Sequence, residues 1–300
     1  MSSFKNRAFG TCKLTGEVGQ FVKSHLTPKA LTRPMERGAA FAQIGHGNRP
    51  SRRFDSWYDD RLVTEHGEDI LRDLDTFAIQ ELRRLKLIWQ AWGPMVSLCT
   101  PDTDFLPGSP NGMRRVIFHE PGKMRLFFLS LLWRAAASNR TEFKGINLRP
   151  SDYRRLRACV RDSALPDNWA FFPVTLTQIS TRGMHHIHSP MMQVKRSIKV
   201  DGYRSGSHLI TRFFLDGLVV HVHHPIEHRY IDGLWPMMVG PPEGTTVSTV
   251  TWEGSSQLLD LSAAVDEAQR LHPGGLDLVG SAATTTLALV LNTPHHLGRR

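Results

Sequence analysis

HLITRFFLDGLVVHVHH, residues 208–224, decides the fold class. Its two apolar arms flank Asp216-Gly217, a dipeptide favoured in two-residue hairpin turns because both of its positions need positive φ. The arms therefore read as a pair of antiparallel strands. FFPVTLTQIS (171–180) and VSTVTW (247–252) read as further strands. SSQLLDLSAAVDEAQRL (255–271) reads as a capped helix, and the tail from His295 as frayed.

Upstream of about residue 165 the period is helical. Ile70, Leu71, Leu74, Phe77, Ala78, Leu82, Leu85 and Ile88 recur at three- and four-residue steps, the stripe of an amphipathic helix. Glu65, Glu68 and Asp69 near its start and Arg83, Arg84 and Lys86 near its end suit the helix dipole, and Gly93-Pro94 stops it. GKMRLFFLSLLWRAAA (122–137) is apolar nearly all round and belongs at the centre of a helical layer. INLRPSDYRRLRACVRD (146–162) gives a third helix, with Pro150 in its first turn and a basic face. The expected architecture is α+β: a small basic module with its long helix over 1–95, a helical layer over 96–165, and a mostly antiparallel sheet with one late helix over 166–300.

The net charge of +9 is uneven. Residues 1–61 hold eleven Lys and Arg against five Asp and Glu, whereas residues 163–300 hold ten against eleven. A basic amino-terminal part suggests an anionic partner, most simply nucleic acid; the bland alternative is solubility. Within it, ERGAAFAQIGHGNRPSRR (36–53) reads as an exposed loop with arginines free to meet phosphates. The opening MSSFKNRAFG shows no signal peptide, and the most apolar run, Leu126–Trp133, is too short to span a bilayer. Cys12, Cys99 and Cys159 are odd in number and widely spaced, which implies free thiols, a reducing and hence cytoplasmic setting, and no structural zinc.

The chemistry concentrates in CKLTGEVGQFVKSHLTPKALTR (12–33). Thr15 stands where a zinc knuckle would carry a second cysteine. Ser24-His25-Leu26-Thr27-Pro28-Lys29 resembles the first motif of the HNH, or His-Me finger, nucleases. The resemblance implies a hairpin followed by a helix, with His25 as general base toward a water that attacks a phosphodiester. It also implies a divalent metal, Mg²⁺ or Mn²⁺, held nearby. The expected ligands come from Asp59, Asp60, Glu65 and His66, in a wider pool that includes Asp55 and Glu68. Lys23, Lys29, Arg33, Arg49, Arg52 and Arg53 would meet phosphates, most naturally those of DNA. The combination of Cys12-x-x-Thr15, Ser24–Lys29 and the helix Leu126–Ser138 is similar to a group of uncharacterised bacterial and phage-type proteins with an HNH-like ancestry. A non-catalytic module that binds nucleic acid, or is purely structural, is the alternative form of this reading.

Two histidine clusters offer another. His221 and His223 share one strand face and, with Glu227, have the donor types of a transition-metal site in a cupin-like protein. The plain alternative puts them on the solvent face of an edge strand and MHHIHSP (184–190) in a surface loop. Trp57, Trp89, Trp92 and Trp133 read as core, with Trp57 the one aromatic placed beside a basic surface. The chain has no G-x-x-x-x-G-K-[ST], no G-x-G-x-x-G after a strand and no G-x-S-x-G, so it lacks the marks of P-loop, dinucleotide-binding and serine-hydrolase chemistry.

Overall fold

The computed structural model describes residues 8–32, 41–44, 51–98, 100, 102–195, 199–200, 203–204, 207–226 and 231–273. β1 (Phe9–Thr11) and β2 (Val18–Gln20) form a short antiparallel hairpin. β3 (Ser24–His25) follows, and Pro28 precedes a 3₁₀ turn over Lys29–Leu31. β4 (Phe41–Ile44) and β5 (Ser51–Arg53) pair with each other. β6 (Tyr58–Asp59) then returns antiparallel to β3, and α1 (Glu65–Arg84) leaves it. The segment expected as a Gly/Arg loop therefore contains two strands. Its alternating Phe-Ala-Gln-Ile finds a parallel partner about 140 residues later, a pairing no local signal reveals.

After α1 come β7 (Thr103–Phe105) and β8 (Gly112–Val116), α2 (Pro121–Ala137) and α3 (Pro150–Arg161). The middle segment is thus not purely helical. Its β7–β8 hairpin forms one edge of the large sheet. α2 is buried on every side, as its composition requires, with Phe127, Phe128, Leu129, Leu131, Leu132 and Trp133 all fully buried. Truncating any of these leucines to Ala would cost about 2–5 kcal/mol, the lost burial plus the cavity left behind. Arg125 and Arg134, which only flank the apolar run in sequence, are buried with it. Arg125 donates to the Phe171 carbonyl at 2.8 Å and lies 4.8 Å from the Trp169 ring. Burial pushes its pKa down to about 10.

Among the described residues there follow β9 (Val174–Ile179), β10 (His186–His188), β11 (Met191–Lys195), β12 (Lys199–Val200), β13 (Tyr203–Arg204), β14 (His208–Leu215), β15 (Leu218–His223), α4 (Ile231–Leu234), β16 (Thr245–Val250) and α5 (Ser256–Leu271). Seven strands make one sheet in the order β11-β14-β15-β9-β16-β8-β7, antiparallel except at β9–β16. Asp216 and Gly217 turn β14 into β15 with φ of 51° and 88°. A Cβ at Gly217 would lie 2.4 Å from the Trp89 indole, so that glycine is also required by packing. Ser255 caps α5 by accepting the Leu258 N–H. The protein is α+β. One hydrophobic core runs through all three expected segments, joining Leu14 and Trp57 to Phe127 and Trp133 and on to Val220 and Val247. Among the described residues no helix is long and apolar enough to cross a membrane.

Both histidine clusters lie deeper in the protein than a surface loop and an edge strand would put them. MHHIHSP is not a surface loop: His186 and His188 lie on β10, buried, with His186 stacked on Phe214 at 4.6 Å. β15 is not an edge strand but lies between β14 and β9, and on the face they share His223 is fully buried and His221 half-buried. The hydrophobic alternation was read correctly; the position of the strand in the sheet was not visible in it.

Candidate functional site

The β3–β6 pair places Ser24 opposite Asp59 and His25 opposite Tyr58. Each strand is two residues long, far below what is stable alone. The pair is held from outside by the end of α2 and the loop after it. Arg134 donates to the His25 carbonyl at 3.1 Å and grips Asp75 of α1 through two bonds of 3.0 and 2.6 Å. Ser138 donates to the Asp59 carboxylate at 2.9 Å, and Arg140 to the Tyr58 carbonyl at 3.1 Å. The apolar helix α2 and the loop after it are therefore the brace of the strand that carries His25.

At the open end of this hairpin, three basic groups surround one carboxylate. Asp55 lies 3.5 Å from His25 Nε2 and 3.3 Å from each of the Lys23 and Lys29 ammonium groups. Burial works against its charge, but the Ser56 N–H, the two lysines and the imidazole outweigh this and hold its pKa below the ordinary value. Burial lowers the His25 pKa more than Asp55 raises it, and Lys23 and Lys29 add to the lowering. His25 is thus neutral near pH 7, about a quarter exposed, with a carboxylate beside Nε2 and no protein partner at Nδ1 among the described residues. The Lys23 ammonium also lies 3.9 Å from the centre of the exposed Tyr58 ring, and Phe54 stands exposed nearby in the chain.

The expected metal ligands do not join this group. Asp59 is occupied by Ser138 and the Arg61 N–H. Asp60 and Glu65 are exposed, and His66 is paired at 2.8 Å with Glu17, which raises the His66 pKa. Among the described residues no three His, Cys, Asp or Glu side chains are placed to hold a metal ion. The donor set expected for Mg²⁺ or Mn²⁺ is therefore not assembled there. Of the expected phosphate contacts, Lys23 and Lys29 are at the site. Arg53 lies on β5 within electrostatic reach of Glu142. Arg52 lies on β5 with its side chain outside the described residues, as are Arg33 and Arg49 entirely.

The knuckle segment folds as a turn, with the Gly16 N–H donating to the Cys12 carbonyl. Cys12 Sγ is fully buried and accepts the Thr15 N–H at 3.4 Å. A Cβ added at Gly67 would lie 2.8 Å from the sulfur. Burial raises the thiol pKa, but hydrogen bonds from Thr15 and Thr64 outweigh it and lower the pKa. The groups bonded to this sulfur come from Thr15 and Thr64, which are not zinc ligands, and His66, within electrostatic reach, is paired with Glu17.

In the alternative site, His223 bonds Thr175 Oγ1 at 2.9 Å and His208 Nε2 at 2.7 Å, so both of its nitrogens are engaged within the protein. Glu227 lies outside the described residues. Trp57 is buried edge-on to Phe143 and does not border the basic surface; Tyr58, its neighbour, does. Sequence reasoning did not single out Asp55, Tyr58 or Arg140. Asp55 was legible only as one carboxylate among several, since its approach to His25 depends on the β3–β6 register. No family model, curated protein or solved structure matches the chain.

Proposed function

We propose that the chain is a nucleic-acid-associated protein that meets the phosphate backbone at the open end of its β3–β6 hairpin. The observation that carries this reading is the convergence of Lys23, His25 and Lys29 on Asp55. The lysines are about half exposed. One carboxylate cannot neutralise both, so a net positive charge faces solvent beside an exposed aromatic ring. Fluorescence anisotropy of a labelled duplex DNA against salt tests it. Affinity should fall steeply with salt, and Lys23→Gln/Lys29→Gln should reduce the log–log slope by about 2, near 0.9 for each lost phosphate contact. Absence of binding at low salt, or an unchanged slope in the double variant, would remove the reading.

A second, catalytic reading rests on His25 itself. A neutral imidazole with Asp55 at one nitrogen and the other unengaged has the arrangement of a general base toward water. In this form the chain is a phosphodiester hydrolase, and His25→Ala abolishes nicking of plasmid DNA while the circular dichroism spectrum is unchanged. Plasmid left intact by the wild-type chain with Mg²⁺ or Mn²⁺ would leave binding alone.

A further inference from the structure

A cavity of about 330 Å³ opens far along the chain from His25, between the start of α3 and the far end of the β14–β15 hairpin. Its walls are of two kinds. Leu209, Pro225 and Ile226 are apolar, while Asn147, Arg149, Asp152, His208 and His224 are polar. The imidazoles are fixed from behind. His208 Nε2 is hydrogen bonded to His223, which is in turn bonded to Thr175 in the sheet. His224 Nε2 is bonded to Thr211 at 2.9 Å, which leaves its Nδ1 without a protein partner among the described residues. Arg149 is exposed and Asp152 half-buried at the rim of this cavity. Among the described residues neither side chain makes a hydrogen bond or an ion pair, although they carry opposite charges and border the same cavity.

A guanidinium and a carboxylate that stay apart at the mouth of a cavity suit a ligand with two chemically different ends. The guanidinium matches a phosphate or carboxylate group, bound through paired N–H donors. The carboxylate accepts only, so it matches a hydroxyl or amine donor. The apolar wall suits the face of a flat or puckered ring. We propose that this cavity binds a phosphorylated ring compound of mononucleotide size, with its phosphate at Arg149, ring hydroxyls at Asp152, and the ring itself against Leu209, Pro225 and Ile226. His208 and His224 supply fixed polar contacts between the two ends. The site does not involve Lys23, His25 or Lys29, so it stands or falls separately from the proposed hairpin interface.

Isothermal titration of the full chain with adenosine 5′-monophosphate, ribose 5-phosphate and adenosine tests this. The monophosphate should bind, ribose 5-phosphate more weakly, and adenosine at least tenfold more weakly than the monophosphate. Arg149→Met should weaken monophosphate binding tenfold or more. Asp152→Asn should weaken it for both ribose-bearing phosphates and leave the response to inorganic phosphate unchanged. Both positions lie at the helix surface, so circular dichroism should report intact folds. Lys23→Gln/Lys29→Gln should bind the monophosphate as the wild type does. No heat or thermal shift with any of the phosphates, or binding that survives Arg149→Met, would overturn the proposal.

Discussion

Asp75→Asn should destabilise the protein more than removal of its partner, Arg134. The two form a bidentate pair in which the guanidinium is 1% exposed and the carboxylate 19%. In Asp75→Asn the guanidinium keeps its charge, cannot reach water, and is left with the His25 carbonyl, the Ser130 hydroxyl and an amide. Breaking a buried pair in this way costs about 3–5 kcal/mol, and the partial exposure of Asp75 argues for the lower end. In Arg134→Met the orphaned carboxylate can hydrate, and Met occupies much of the volume. The main loss is the partner of the His25 carbonyl, about 1–3 kcal/mol. The double variant removes both charges and should cost about as much as Arg134→Met alone, some 3 kcal/mol less than the sum of the single changes. Urea unfolding followed by tryptophan fluorescence gives all three values. Arg125 supplies the rival expectation, because it sits buried on carbonyls and an indole ring with no carboxylate bonded to it among the described residues. If Arg134 can be held in the same way, Asp75→Asn will cost under 1 kcal/mol and the reasoning fails.

Gly67→Ala should cost about 1–3 kcal/mol despite its place in a helix, because its Cβ would meet Cys12 Sγ at 2.8 Å and Val63 at 3.0 Å. Cys12→Ala in the same chain should recover part of that loss, read as the thermal midpoint by circular dichroism. Burial raises Asp216 to about 7, against the Gln90 N–H and the positive charges of Arg182 and Arg83. Its contribution to stability is therefore present below pH 4 and lost as pH rises from there to about 7, on the order of 4 kcal/mol in all. Asp216→Asn keeps the acceptor for Gln90 and should gain stability relative to wild type between pH 5 and pH 8; a constant difference across that range would refute the assignment. Burial holds His186 and His221 down to about 3, which gives the opposite slope. Their contribution is complete above about pH 6.5 and is lost as pH falls, so His221→Gln should flatten the acid limb of the urea-midpoint profile.

The sequence showed elements whose cause is local and missed those whose cause is distant. The Asp216-Gly217 hairpin, the helices α1, α2 and α3 and the capped α5 were legible because turn chemistry, period and caps lie within a few residues of each other. β4 was not, since a four-residue alternation becomes a strand only when His186–Ile187–His188 lies beside it. The histidines of β15 were assigned to the right face but the wrong environment, because the number of strands on either side of a hairpin leaves no mark on the hairpin. At the candidate site the motif His25-x-x-Pro28 and the lysines on either side were visible in sequence. The carboxylate that organises them was not distinguishable from Asp59 or Asp60. Asp55 precedes β6 and Asp59 lies on it, and only the pairing of His25 with Tyr58 decides that Asp55 meets the imidazole while Asp59 turns to Ser138.

The same dependence bears on whether the basic amino-terminal module can act alone. Its hairpin has two residues in each strand, and its long helix α1 packs against α2 and α3. A fragment ending at residue 95 loses Arg134 from the His25 carbonyl, Ser138 from Asp59 and Arg140 from the Tyr58 carbonyl. It also exposes Leu71, Leu74, Ala78 and Leu82, all buried in the intact chain. At about 25 cal/mol for each Å² of apolar surface, returning that helix face to water removes several kcal/mol from a module that has little else to hold it. Residues 1–95 alone should show no cooperative unfolding transition, and any affinity they keep for DNA should reflect charge alone. Substituting Lys23 and Lys29 in the fragment should then matter no more than substituting any two other lysines or arginines. A fragment that unfolds cooperatively and binds through those two lysines in particular would show that the site is built by the module itself, with α2 merely packed against it.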